Sequence, residues 1–450
     1  MRIPTFDRLA AGSVALALFA SACSDEPEPT REVFADVAEE DNTTSTLIPP
    51  VPTDPPETLL PMLGEMEVPC GLTDDPKPAV DGVIGVDEMT ILIGTGNDRG
   101  GLHTAGSGRG IPDAVEVMAG YCNSLGGLAG RNVVVLEYDA AAVEAADRAS
   151  EQCGEVASVV GYGYLDEADA RAVREACGLP SFPAWVGGLV AGEPFSLHGH
   201  LLAFFLEPAA GMVALVGPAT PTGEERRARR RSALETSVSG FAIAAEIGYS
   251  IANDPGWDLV AAEALDAGAG LVHIDGSCRA SVVPFLRSAA SLDWSPVLLA
   301  VPSAYDPECV AEAAQEGLGI HRLTVELPFL PLEDGAVDAP VTAAYADMFD
   351  ELAAPVTGDA LLAASAFWRW AFAVGECAGS LSRTCLNGVA ALTDGWTAGG
   401  LHRPYDFDGR TDPCLVVMGV VDGFFVRQLP ETPGSYDCEP GRSVVLRSAG

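Results

Sequence analysis

Apolar strand patterns alternate with helix-length segments along most of this 450-residue chain, and that rhythm leaves few folds open. In a first run, strand patterns at 89–94, 132–138, 156–161 and 180–186 are separated by helical segments at 111–124, 143–153 and 166–177. A second run has strand patterns at 212–217, 241–246, 270–275, 296–301 and 322–327, with helical segments at 224–236, 258–266, 280–290 and 307–315 between them. Strands too apolar to face water on either side need cover on both, which predicts parallel sheets sandwiched by helices. Two such series, each about 110 residues long, predict an α/β chain of two lobes. Helical patterns at 341–352, 358–375 and 385–393 follow, and a strand or hairpin at 414–427 closes the pattern.

The N-terminus supplies an address. Arg2 and Arg8 precede a run from 9 to 20 that is apolar apart from Gly12 and Ser13, and Ser21 and Ala22 lead to Cys23. A basic start, an apolar stretch of about 12 residues and small residues at the cut make an export signal too short to span a bilayer. Ala20-Ser21-Ala22-Cys23 resembles the lipobox of bacterial lipoproteins, which implies cleavage after residue 22 and a lipid on the Cys23 thiol. The alternative is an ordinary secretory signal followed by a chance cysteine. Residues 23–69, rich in Asp, Glu, Pro and Thr, are expected to be a disordered acidic tether, because such composition cannot support a core.

Cysteine usage agrees with export. Of eleven cysteines, ten remain beyond Cys23: Cys70, Cys122, Cys153, Cys177, Cys278, Cys309, Cys377, Cys385, Cys414 and Cys438. An even number in an oxidising space fits up to five disulfides, and short loops favour Cys377–Cys385 and Cys414–Cys438. The other connections are open at this point. No Cys-x-x-Cys pair or zinc-finger spacing occurs. A net charge of −39, with Lys77 the single lysine, argues against nucleic acid or anionic lipid as partners.

Several segments, taken in order, carry a family resemblance. A strand ends in Gly94-Thr95, a helix ends in Tyr121-Cys122-Asn123, and Leu125-Gly-Gly-Leu-Ala-Gly-Arg131 turns into the second strand. Val159-Val160-Gly161 leads through a helix to Cys177-Gly178-Leu179-Pro180, and Arg403-Pro-Tyr-Asp-Phe-Asp-Gly409 precedes a strand reaching Asp422-Gly423. With these features the chain, over 87–428, resembles the type I periplasmic solute-binding proteins, the Leu/Ile/Val-binding-protein-like group of ABC importers. The resemblance implies a Venus flytrap: two Rossmann-like lobes with parallel sheets, joined by a hinge that the chain crosses three times. Lobe I is then expected at 87–206 plus 330–403, and lobe II at 207–329 plus 404–440. It further implies a small-molecule ligand between the lobes, an ABC permease as partner, a monomer, and no cofactor or metal.

Candidate site residues follow from the loops after the strands. Gly94-Thr-Gly96-Asn-Asp-Arg99-Gly100 lacks the third glycine of a dinucleotide fingerprint and has no Gly-Lys-Ser/Thr, so it is expected to shape a loop, with Thr95, Asn97 or Arg99 near the cleft. Tyr162, Tyr164 and Trp185 occupy the loops where the resemblance places lobe I contacts, and aromatic rings suit an amphipathic ligand. Packing that fills the cleft is the alternative reading. In lobe II the candidates are Asp275, Ser277, Ser303 and Tyr305, with Thr220 and Thr222 within reach. Asp275 suits an ammonium partner or, equally, a helix cap. Cys278 and Cys309 open successive elements on the same edge.

The run Glu224-Glu-Arg-Arg-Ala-Arg-Arg-Arg231 reads as a solvated, ion-paired helix face. His198 and His200 lack a third ligand for metal, and no Gly-x-Ser-x-Gly elbow is present, so no enzymatic role is expected. The expected function is a lipid-anchored, extracytoplasmic solute-binding protein for an amino acid, amide or similar molecule. A ligand-sensing receptor of the same fold, or a member whose cleft no longer binds, is the alternative.

Overall fold

Residues 61–71, 82–185, 211–237, 242–377, 380–391, 395–404 and 414–438 are described by the computed structural model. The expected signal segment, Cys23, the acidic stretch as far as residue 60, Val186, His198 and His200 lie outside them. The N-terminal described segment forms a small hairpin of β1 (Met62–Leu63) and β2 (Met66–Glu67). The first alternating run follows as β3 (Thr90–Asn97), α1 (Gly110–Ser124), β4 (Asn132–Asp139), α2 (Ala145–Glu155), β5 (Ser158–Val160), α3 (Ala168–Cys177) and β6 (Ser181–Phe182). These strands make a parallel sheet in the order β4-β3-β5-β6.

The second run is β7 (Met212–Pro218), α4 (Pro221–Ser237), β8 (Ala242–Tyr249), α5 (Trp257–Asp266), β9 (Leu271–Ile274), α6 (Val283–Ser291), β10 (Val297–Ala300), α7 (Pro307–Gln315) and β11 (Leu323–Leu327). Then come α8 (Gly335–Asp338), α9 (Pro340–Glu351), α10 (Gly358–Glu376), α11 (Arg383–Ala390), β12 (Val416–Val421) and β13 (Phe424–Leu429). The second sheet runs β13-β12-β11-β10-β9-β7-β8, parallel except at β12 and β13, which add antiparallel. All four residues of β9 are buried, as cover on both faces requires. The two α/β lobes therefore exist, with the last hairpin completing the second sheet across a long gap in sequence.

Helix α10 shows why the first lobe needs the C-terminal half of the chain. Sixteen of its nineteen residues are buried, so it sits in the interior rather than on a surface. Its N-cap Thr357 accepts from the Ala360 amide, and a Cβ on Gly110 of α1 would fall 2.4 Å from the Thr357 hydroxyl. Glycine there lets the two helices approach. A backbone bridge between Phe329 and His402, with the Leu330 amide donating to Leu401 O at 2.8 Å, ties together two of the segments that pass between the lobes.

Several motif residues have plain structural duties. The Asn123 side chain donates to Val133 O and accepts from Val133 N, both at 2.8 Å, which fastens the end of α1 to β4. Gly178 adopts φ +66°, closing α3 with the left-handed turn that favours glycine, and Leu179 N reaches back to Arg174 O.

All ten expected cysteines pair: Cys70–Cys122, Cys153–Cys177, Cys278–Cys309, Cys377–Cys385 and Cys414–Cys438. The first corrects the tether, which was expected to run to residue 69. Leu63 and Val68 are fully buried, and the disulfide from Cys70 holds the hairpin against α1. Two apolar anchors and a crosslink outweigh the acidic composition of the stretch before them. The basic run is also corrected. Arg226, Arg227 and Arg230 on α4 are buried beneath the second sheet, while Arg229 and Arg231 pair with Glu225 and Glu246 nearer the surface.

Candidate functional site

In open α/β sheets ligands lie beyond the carboxyl ends of the strands. Here both sheets turn those ends toward one another, and the loops between them enclose a cavity of about 20 Å³. Ser107, Gly108, Leu165 and Trp185 line it from the first lobe. Arg226, Asp275, Gly276 and Ser277 line it from the second, with Ser303 and Asp359 closing the hinge side. That volume holds about one water molecule, so the lobes are shut upon each other.

The closed arrangement has its own ties. Arg109, just before α1, donates to Glu308 in the first turn of α7 at 2.6 Å. The Thr222 hydroxyl meets Asp166 at 3.4 Å, and Gly106 packs against the Arg279 stem. These contacts join loops of opposite lobes and would separate on opening.

Within the cavity, Arg226 Nε donates to Asp275 at 2.5 Å, so Asp275 holds a guanidinium from its own lobe. Ser303 Oγ donates to Asp359 Oδ1 at 2.7 Å. Burial pushes the Asp359 carboxyl up to about 6, opposed by the donated bond from Ser303 and by the Gly108 amide and Trp185 indole, while Asp306 adds to the rise. A second buried carboxyl, Asp98, is also pushed up to about 6 by burial, though the Leu165 and Ala142 amides donate to it. Through those amides Asp98 sets the loop that carries Leu165 to the cavity.

No family model matches the chain, and no curated protein sequence matches it. Solved structures do. A fatty acid ABC transporter substrate-binding protein from Thermomonospora curvata superposes with a TM-score of 0.65 at 16% identity, over 84% of this chain and 96% of that one. The type I periplasmic-binding-protein fold is this chain's fold. The branched-chain amino acid transporter substrate-binding protein LivJ from Streptococcus pneumoniae, in complex with isoleucine, gives a TM-score of 0.58 at 16% identity, over 75% and 100% of the chains. An extracellular ligand-binding receptor from Rhodopseudomonas palustris gives 0.60 at 14% identity, over 76% and 100%.

Within this periplasmic-binding-protein fold the structure sorts the candidate residues. Trp185, Asp275, Ser277 and Ser303 line the cavity. Thr95 and Asn97 do not. Thr95 donates to Gly161 O at 2.8 Å, and Asn97 bridges Glu137 and the Arg99 amide, so both brace loops behind the wall. Arg99 is held by Glu137 and Asp113. Thr220 caps α4 by accepting from Gly223 N.

Tyr162 and Tyr164 are corrected by their packing. A Cβ on Gly163 would meet the Trp185 ring at 2.5 Å, and Leu165 lines the cavity. The two tyrosines are instead buried in a core shared with Tyr138, Val156 and Leu179. Tyr305 is also displaced: its hydroxyl donates to Glu333 at 2.7 Å, accepts from the Leu332 amide, and its ring packs on Phe329 and Phe425 at the hinge.

Ser107, Gly108, Leu165, Arg226 and Asp359 were missed. Arg226 lay hidden in a run of charges, although its four-residue spacing from Arg230 marks a shared helix face. Thr357-Gly358-Asp359 reads from sequence only as a helix start.

The Asp359 geometry has a pH consequence. Its folded-state value, about 6, exceeds the ordinary aspartate value, so the folded chain holds this proton more tightly than the unfolded chain. The favourable contribution is present at low pH and is lost as pH rises through about 6, by roughly 3 kcal/mol in all. An Asp359→Asn variant lacks that loss. Chemical denaturation at pH 4 and pH 7 is expected to show the variant gaining on the wild type by up to about 3 kcal/mol between them. An equal pH slope in both proteins excludes the assignment.

Proposed function

We propose that this chain is an extracytoplasmic solute-binding protein, held to the membrane by a lipid on Cys23, that captures a small polar or amphipathic molecule and delivers it to an ABC permease. The observation that carries the reading is the cavity between the facing carboxyl edges of two parallel sheets, polar on one side and apolar at Trp185 and Leu165. Its walls come from both lobes, so only the closed form touches a ligand on every side, and binding shifts the population toward closure. The lobes are best drawn as 87–206 plus 330–403 and 207–329 plus 404–440, in keeping with the strand membership of the two sheets. One structural relative is named for a fatty acid and another is in complex with isoleucine, both amphipathic carboxylates, and that class heads the candidates.

A thermal-shift screen of fatty acids, amino acids, amides and small aromatic acids tests the reading. At least one compound is expected to raise the melting temperature of the mature chain. Its affinity is expected to fall by roughly 100-fold in Trp185→Ala, the loss of one buried aromatic contact. A hit that binds Trp185→Ala as it binds the wild type places the ligand elsewhere. In cells, Cys23→Ser is expected to release the protein into the medium, and retention in the membrane fraction would contradict the anchor.

A further inference from the structure

Trp185 supplies the aromatic part of the cleft wall, and its ring has room there because of one neighbour. Gly163, in the loop that follows β5, is buried against the indole. A Cβ built on it would fall 2.5 Å from Cε2, 2.6 Å from Nε1 and 2.9 Å from Cζ2 of Trp185, well inside the separation at which carbon atoms rest against one another. The backbone itself does not demand glycine at this position. Its φ lies outside the left-handed region, so an alanine would meet no strain of that kind. The ring is what demands it.

The chain on both sides of this contact is pinned. Gly163 N donates to Gly96 O of β3 at 3.0 Å, and Ala184 N donates to Tyr162 O at 2.9 Å, which holds the segment carrying Trp185 alongside. A methyl at 163 therefore moves the ring before it moves the chain. Trp185 lines the cavity opposite Asp275, Gly276 and Ser277 of the second lobe, and the space left between them holds about one water. An interior packed this closely registers a single added methyl, so a displaced indole reshapes the wall that a ligand meets. We propose that Gly163 is the positioning residue for Trp185: the recess left by its missing side chain seats the indole, and the residue at 163 thereby sets which ligands the cleft accepts.

The seat is tested without a ligand. The mature chain labelled with 5-fluorotryptophan carries six reporters, and the fluorine signal missing from Trp185→Phe is that of Trp185. In Gly163→Ala that signal is expected to shift while those of Trp257, Trp294, Trp368, Trp370 and Trp396 keep their places, a signature that general loosening would not give. The melting midpoint is expected to fall by about 2–5 °C. Adding Trp185→Leu is expected to cancel that loss, and a single variant that fails to fold beside a double variant as stable as Trp185→Leu alone supports the same clash. The part played in ligand capture rests on the solute-binding reading and is measured by calorimetric titration with decanoate and with isoleucine. Whichever of them binds the wild type is expected to bind Gly163→Ala at least about ten-fold more weakly. Should neither bind, that reading loses its first candidates while the fluorine signal still decides the seat. An unmoved Trp185 signal, or equal affinity in both proteins, overturns the inference.

Discussion

Replacing Arg174 by methionine is expected to destabilise the folded chain by about 3–5 kcal/mol, because it takes the paired cation away from a buried carboxylate. Arg174 on α3 is 1% exposed, donates to Glu167, and lies over the Tyr162 ring at 4.4 Å from its centroid. Burial opposes the guanidinium charge, but Glu167 and the two tyrosines more than offset it and hold the arginine above its ordinary pKa. Methionine matches the stem but supplies no charge, and Glu167 is itself buried. The double variant Arg174→Met/Glu167→Gln is expected to recover much of the loss, since removing both charges removes the desolvation cost with them. Urea denaturation of the four proteins of this cycle measures the effect. A single-variant loss below about 1 kcal/mol would be the cost of an exposed pair and would contradict the burial.

Tyr164→Ala is expected to cost a similar amount, about 3–5 kcal/mol, as other large aromatic truncations in cores do. The ring is fully buried against Gly96, Gln152 and Tyr138 O, where its hydroxyl meets Gln152 Nε2 at 3.2 Å. Truncation leaves a cavity and removes a partner from a buried amide. The structure further distinguishes this residue from Trp185. At temperatures where both variants are folded, Tyr164→Ala is expected to bind a cleft ligand within a few-fold of wild type, while Trp185→Ala does not. Titrations of the two variants with one screening hit decide the matter, and equal losses in both would return Tyr164 to the cleft.

Much of the scaffold was legible because it rests on periodicity. The eight helical segments expected between residues 111 and 352 each contain an observed helix, since apolar spacing and flanking breakers are local properties. The fourth strand of the first run, expected at 180–186, is observed only as Ser181–Phe182. The candidate site was legible in part. Trp185, Asp275, Ser277 and Ser303, expected in loops after strands, line the cavity between the sheets. Choosing among neighbours in those loops failed where the face decides, as at Tyr162, Tyr164 and Tyr305. Asp359 was beyond reach because it comes from a helix between 174 and 252 residues further along the chain than the first-lobe residues it meets at the cavity.

The amino-acid sequence by itself determined the two α/β series and the even set of cysteines, for these depend on composition and spacing within short windows. Tertiary structure alone decided which side chains meet. It turned Tyr162 and Tyr164 into core, sent Arg226 inward from what read as a surface face, and anchored residues 61–71 through Leu63 and Cys70. The physical reason is common to all three. A side chain's role depends on what lies opposite its face, and in this fold the opposite surface comes from a distant part of the chain.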